Sequence, residues 1–158
     1  MNTDDIRTRP RVFAIASGGG HWVQLLRIAP ALGDCDVIYA STISDHAELV
    51  GDARFIEVPE ASRWERWRAA RCALEVSWAL VRTRPDVIIS TGALPGFFAV
   101  AFGKLVLRRR TIWIDSIANA DELSMSGARA GRFADLWLTQ WEHLARPDGP
   151  SFVGSVLG

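Results

Sequence analysis

Short runs in which almost every residue is apolar, each ending in small residues and separated from the next by a helix-length pattern, constrain this chain more than any other feature. Val12 to Ala16 runs into Ser17-Gly18-Gly19-Gly20, and His21 to Leu32 then carries apolar residues at Val23, Leu25, Leu26, Ile28 and Ala29, a helical spacing. Asp36 to Ser41, Arg54 to Val58, Val87 to Ser90, Thr111 to Ile114 and Leu136 to Thr139 read as further strands. Arg63 to Arg82, closed by Pro85, and Leu94 to Leu107 read as helices, and Ser116 to Arg132 as a loop with a short helix. Strands apolar throughout predict a parallel sheet covered on both faces. Right-handed crossovers then make an α/β, Rossmann-like doubly wound sheet, whose ligands bind beyond the carboxyl ends of the strands. Three loops, Ser17–Gly20, Thr91–Gly96 and Asp115–Asn119, are expected to converge there.

A chain of 158 residues is expected to form a single domain, with 11–154 as core and 1–10 as a flexible N-terminus. Eighteen Lys and Arg balance eighteen Asp and Glu, which argues against a nucleic-acid partner bound through bulk charge. Cys35 and Cys72 have no metal-ligand spacing around them and read as reduced core thiols of a cytosolic protein. No metal or cofactor motif is present. Met1 to Arg11 is polar, and the longest apolar run, Ala93 to Phe102, is about half of the ~20 residues a spanning helix needs.

Glycines at 18, 19 and 20 before a helix start suit a phosphate or diphosphate held by backbone N–H groups, or a tight turn without a ligand. The loop is not a Walker A motif, and Val23 stands where a dinucleotide fingerprint needs its last glycine. His21 can serve as a general base or diphosphate donor, or cap the helix. His46 and His143 are isolated and read as surface or core residues. Arg63, Trp64, Arg66, Trp67, Arg68 and Arg71 begin a helix on which Trp67, Ala70, Leu74, Trp78 and Val81 form one stripe. That stripe suits the headgroup level of an anionic membrane, or the underside of a sheet-packing helix with solvated arginines. Arg108, Arg109 and Arg110 form a second basic cluster.

Six motifs in order, Ser17-Gly-Gly-Gly-His21, Thr91-Gly-Ala-Leu-Pro-Gly96, Ile114-Asp-Ser116, Leu123-Ser124-Met-Ser126-Gly127, Ala134-Asp135 and Thr139-Gln-Trp-Glu142, resemble the asparagine-linked glycosylation protein 14 family and its bacterial polysaccharide-biosynthesis relatives. The resemblance covers about Arg11 to Gly154. It implies the N-terminal half of a GT-B glycosyltransferase, similar to the enzyme that makes the lipid-linked peptidoglycan precursor. A separate protein would supply the half that binds the nucleoside-diphosphate sugar, forming a heterodimer. The pair would transfer the sugar, N-acetylglucosamine or another hexose, to a polyprenyl-diphosphate-linked acceptor on the cytoplasmic membrane face. Eukaryotic members carry an N-terminal anchor, whereas Met1 to Arg11 is polar, which fits a member held peripherally.

On this resemblance Ser17 and Gly18 to Gly20 would meet the acceptor diphosphate. His21 is the candidate base and Asp115 the second, with a helix-capping role as the alternative for Asp115. Thr91, Gly92, Ser116 and Asn119 would line the acceptor cleft. Gln140, Trp141 and Glu142 would face the partner. Two other readings remain: a scaffold that recruits a catalytic partner, and a stand-alone nucleotide-binding protein. The chain stops at Ser155-Val-Leu-Gly158, where the crossover to a second domain is expected, so it is expected to be inactive alone.

Overall fold

The computed structural model describes residues 9–61 and 64–157. Its elements in chain order are β1 (Arg11–Ile15), α1 (Gly20–Ile28), β2 (Asp36–Ser41), β3 (Arg54–Glu57), α2 (Arg66–Thr83), β4 (Val87–Ser90), α3 (Ala93–Leu105), β5 (Arg110–Ile114), α4 (Met125–Ala130), β6 (Leu136–Thr139) and β7 (Ser151–Phe152). Short 3-10 turns stand at Ala29–Leu32, Ser44–Val50 and Glu142–Leu144. The strands form one seven-stranded parallel sheet in the order β3-β2-β1-β4-β5-β6-β7. This is the Rossmann-like α/β fold expected from the apolar runs.

The first helical pattern stops early because Pro30 cannot supply the N–H that a continuing α-helix needs, and a 3-10 turn follows. The second begins at Arg66, and its last carbonyls are closed by Arg84 in the left-handed conformation (φ 47°), whose N–H donates to Leu80 O. α2, α3 and α4 share one face of the sheet. Cys72, Val76, Leu80, Ala99, Val100 and Ala130 pack there with Phe13, Ile15, Ile88 and Trp113. On the other face α1 packs through Trp22 and Leu25 onto Ala14, Ala16 and Tyr39. Coverage of that face is uneven. Ile112 and Ile114 alternate with the core residue Trp113 and so lie on α1's side, partly exposed, and Leu136 beside them is 44% exposed.

Both cysteines are free. Cys72 is in the core, where burial pushes its thiol up to about 11, with Glu75 adding to the shift, whereas Cys35 is only half-buried. Among the described residues no helix is long and apolar enough to cross a membrane.

Close helix–sheet packing depends on α3 glycines. A Cβ at Gly96 would stand 1.8 Å from Ser90 Oγ, and one at Gly103 would stand 2.1 Å from Ile88 Cδ1. At the amino edge of the sheet, an aspartate before each of two strands closes an N–H at the start of a neighbouring strand. Asp86 Oδ2 accepts from Arg11 N at 2.9 Å, and Asp135 Oδ2 accepts from Thr111 N at 2.9 Å. Asp135 also pairs with Lys104, the sole lysine. These contacts hold the Asp135 carboxyl below its usual range, the Lys104 hydrogen bond being the largest cause. A depressed carboxyl contributes stability above its unfolded-state pKa and loses it as pH falls through the folded value. Asp135 is 41% exposed, so the effect is screened and stays within about 1 kcal/mol. In urea unfolding, Asp135→Asn is expected to sit below the parent at neutral pH, and the gap is expected to close in acid.

Candidate functional site

The strand order reverses direction beside β1. The connection through α1 leads outward to β2 on one face, and α2 brings the chain back over the other face to β4. In such sheets the loops leaving β1 and β4 part to opposite faces, and the crevice between their carboxyl ends is where ligands enter. Ser17–Gly20 and Thr91–Gly92 are those two loops.

His21 joins them. Its Nδ1 lies 3.1 Å from Thr91 O, and Thr91 Oγ1 donates to His21 O at 2.7 Å. A carbonyl oxygen only accepts, so Nδ1 carries the hydrogen. Nε2 of the neutral ring is then left with a lone pair, the form a general base needs. Gly92 makes this approach possible: it lies at φ 137°, and a Cβ there would stand 2.4 Å from His21 Nδ1. The next residue, Ala93, holds a left-handed φ of 68°, so the backbone is strained where it passes the histidine.

α1 and α3 are capped by Gly19 and Gly92, and neither cap supplies a side-chain hydrogen bond. Their first turns carry partial positive charge toward one recess of about 560 Å³. His21, Glu60, Ala61, Trp64, Ala93, Leu94, Asn119, Ser124, Met125 and Ser126 line it. The space is large enough for a diphosphate with an attached ring. A larger recess of about 770 Å³, lined by Leu26, Tyr39 and Val50 among others, contains none of the candidate residues.

The other candidates divide between lining the recess and supporting it. Gly18 does neither directly: its N–H donates to Thr42 Oγ1 at 3.3 Å, and Ile43 fills the space beside it. Gly19 and Gly20 are exposed. Ser17 and Thr91 sit at the strand ends, Thr91 buried beneath His21. Asp115 is 1% exposed and accepts four hydrogen bonds. These come from Trp113 Nε1 (3.2 Å), Asn119 Nδ2 (3.2 Å), Ser124 N (2.9 Å) and Ser124 Oγ (2.6 Å). Ser124 in turn caps α4 by accepting from Gly127 N at 2.8 Å. Asp115 thus holds the loop that presents Asn119 and Ser124, a capping role at one remove. Ser116 is buried and takes a hydrogen bond from Gln24.

Of the three residues expected at a partner surface, only Glu142 is exposed. Gln140 is 4% exposed, and the Trp141 indole donates to Ile117 O at 2.8 Å. His46 stacks on Trp22 at 4.5 Å and shares a 2.7 Å hydrogen bond with Ser41 Oγ, while His143 contacts Ala120 O. Burial lowers the His46 pKa against the opposing charge of Asp45.

The arginine and tryptophan positions fall outside the recess or on its lip. Arg63 lies outside the described residues. Trp64, 89% exposed, lines the recess, and Arg66, Arg68 and Arg71 follow on α2. The stripe points outward: Trp67, Leu74 and Trp78 are 63%, 72% and 62% exposed, while Cys72, Val76, Ala79, Leu80 and Thr83 form the buried side. Arg68 sits over the Trp67 ring at 5.4 Å and Arg82 over Trp78 at 5.9 Å. Arg108–Arg110 lie at the amino edge of the sheet, opposite the recess, next to exposed Leu105 and Val106. Glu60, Leu94, Ser124, Met125 and Ser126 were not expected as recess residues. Ser124 carried a local signal, an N-cap serine before a short helix; Glu60 carried none.

No protein-family model matches the chain, and no curated protein does. Solved structures share its fold. MurG from Acinetobacter baumannii aligns with a TM-score of 0.74 at 13% identity, covering 90% of this chain and 45% of that one. The UDP-GlcNAc 2-epimerase from Methanocaldococcus jannaschii aligns at 0.59 and 13% identity, covering 82% and 39%. A glycosyltransferase from Rickettsia africae aligns at 0.54 and 11% identity, covering 77% and 33%. The chain therefore spans less than half the length of each of these proteins.

Proposed function

We propose that this chain is the acceptor-side part of a two-component glycosyltransferase of the asparagine-linked glycosylation protein 14 type. A separate donor-binding half would hold a nucleoside-diphosphate sugar. This chain would present a polyprenyl-diphosphate-linked acceptor at the inner face of the cell membrane. The observation that carries the reading is His21 with its Nδ1 tied to Thr91 O, between two helix N-termini without side-chain caps that open on one recess.

Backbone N–H groups of Gly19, Gly20 and the first turn of α3 are suited to the acceptor diphosphate, with the helix dipoles favouring its charge. His21 Nε2 takes the proton of the acceptor hydroxyl as its oxygen bonds to the anomeric carbon of the donor. The nucleoside diphosphate leaves from the opposite face with the electron pair of the broken bond, inverting the configuration. The fold shared with a glycosyltransferase and with MurG is compatible with this division of labour.

The exposed α2 stripe supports peripheral membrane attachment. It runs from Trp64 at the lip of the recess along the whole helix, with arginines at both ends, so a chain docked on it would hold the recess at headgroup depth. Each arginine near an anionic leaflet contributes about 1 kcal/mol, so neutralising Arg66, Arg68 and Arg71 together is expected to weaken binding by roughly 100-fold. Co-sedimentation with anionic vesicles measures this, and unchanged binding would remove the assignment.

Calorimetry with a short-chain polyprenyl-diphosphate sugar, and separately with a nucleoside-diphosphate sugar, tests the reading as a whole. The isolated chain is expected to bind the first and not the second. Tight binding of the nucleotide sugar alone would favour a stand-alone nucleotide-binding protein.

A further inference from the structure

Two glutamines 116 positions apart, Gln24 on α1 and Gln140 after β6, are each 4% exposed and bonded to each other. A buried amide is tolerated only when its donors and acceptor are paired, and here the pairing is specific. Gln24 Nε2 donates to Gly20 O at 3.1 Å and to Ser116 Oγ at 3.0 Å. Gln24 Oε1 accepts from Ile117 N at 3.0 Å and from Gln140 Nε2 at 2.6 Å. The second Gln140 hydrogen goes to Asp115 O at 2.9 Å, and Gln140 Oε1 accepts from Val156 N at 3.1 Å. Arg27, one turn along α1 from Gln24, donates to Val156 O at 3.1 Å and closes the ring.

Both side-chain N–H bonds of each glutamine are used within this ring, so neither residue has a hydrogen left for a ligand. What the ring does is connect. The segment 153–157, which leaves β7 exposed, is bonded at Val156 to Gln140, through Gln140 to Gln24, and through Gln24 to the carbonyl of Gly20.

We propose that Gln140 and Gln24 are positioning residues through which the seating of residues 153–157 sets the conformation of the glycine loop and of His21. The amide orientation is the element that transmits. With Val156 N in place, Gln140 Oε1 has its donor and Nε2 must face Gln24 and Asp115 O. Without that donor the oxygen is orphaned unless the amide turns over, and turning it over withdraws the hydrogens from Gln24 Oε1 and Asp115 O. Asp115 O then loses its donor outright, and Gln24, which holds Gly20 O and Ile117 N beside His21, is released from the contact that fixes its own amide. Anything that engages the segment would therefore be felt at the recess, a coupling of two sites through one packed network. Only the diphosphate arm of the test below rests on the function proposed above.

The test compares the full chain with Gln140→Leu, Val156→Pro and the double variant. Val156→Pro removes the N–H that Gln140 accepts and also fixes φ at that position, so Val156→Ala, which keeps the N–H, is the control and is expected to leave the signals in place. Backbone amide signals of Gly20 and His21 are followed by NMR, and inorganic pyrophosphate is titrated as the probe. Each single variant is expected to move the Gly20 and His21 signals and to weaken pyrophosphate by about 10-fold. The double variant is expected to add little to either effect, because both changes cut the same chain. Unmoved Gly20 and His21 signals, or additive effects, overturn the proposal. If the parent chain binds no pyrophosphate, the diphosphate reading fails while the NMR arm still decides the coupling. If Gln140→Leu does not fold, Val156→Pro alone decides it on the same signals.

Discussion

Replacing His21 with alanine, in the chain reconstituted with the donor-binding half proposed above, is expected to lower the rate of transfer by about 10²- to 10⁴-fold, the range supplied by one positioned base. Acceptor binding is expected to change far less, because the ring's neighbours in the recess and the two helix N-termini remain. His21→Gln separates the proton from the shape. Its amide can still donate to the Thr91 carbonyl that His21 Nδ1 meets at 3.1 Å, but it offers no basic nitrogen. A glutamine variant as slow as the alanine variant assigns the loss to the missing base. A variant near parental speed assigns it to positioning. Unchanged turnover in both, with complex formation intact, leaves the scaffold reading standing and removes His21 from the chemistry.

Asp115→Ala is expected to act on stability, by about 3 kcal/mol or more, because each buried donor left without its acceptor costs about 1–3 kcal/mol. The carboxylate is 1% exposed and satisfies the Trp113 indole, the Asn119 amide, and both the backbone and hydroxyl of Ser124. The Trp113 indole, fully buried, gains no water when the carboxylate is deleted, whereas Asn119 and Ser124 border the recess. Asp115→Asn keeps the volume but turns a second donor toward donors, and is expected to cost about 1–3 kcal/mol. The midpoint of urea unfolding measures both. The Asp115 variants are also expected to slow transfer, since the loop bearing Asn119 and Ser124 loosens with them. An alanine variant that unfolds like the parent but has no activity would return Asp115 to the role of base. Gly127 belongs to the same unit: a Cβ there would stand 2.1 Å from Asp115 Oδ1.

The strands were legible because burial on both faces leaves a parallel strand little use for polar residues. Asp36–Ser41, Val87–Ser90 and Leu136–Thr139 appear in the structure with the boundaries read from their composition. The meeting of the loops after β1, β4 and β5 followed from the same alternation, since parallel strands with right-handed crossovers bring those loops to one edge. β7 was not legible, because two residues, Ser151 and Phe152, make no pattern.

The facing of α2 was ambiguous in principle. Trp67, Leu74, Trp78 and Val81 have helical spacing, but so do Cys72, Val76, Ala79 and Leu80, and the smaller set is the one against the sheet. Close packing decides between them: the set without tryptophan lets α2 lie near a sheet already crowded by Trp113 and Phe13, where indole rings would hold it off. The glutamine pair and the place of Glu60 at the recess depend on residues remote in sequence. Nothing local to either announces them.

The outward stripe on α2 has a consequence for the chain when no lipid is present. Three large side chains, each more than three-fifths exposed along one helix, make a seam that water leaves readily. Two copies can cover each other's seams about a two-fold axis, each seam meeting its own counterpart. The sedimentation behaviour of the purified chain is then a matter of what shares the tube with it. The expected result in sedimentation is self-association that rises with concentration and salt and falls when mild detergent or vesicles compete for the same tryptophans.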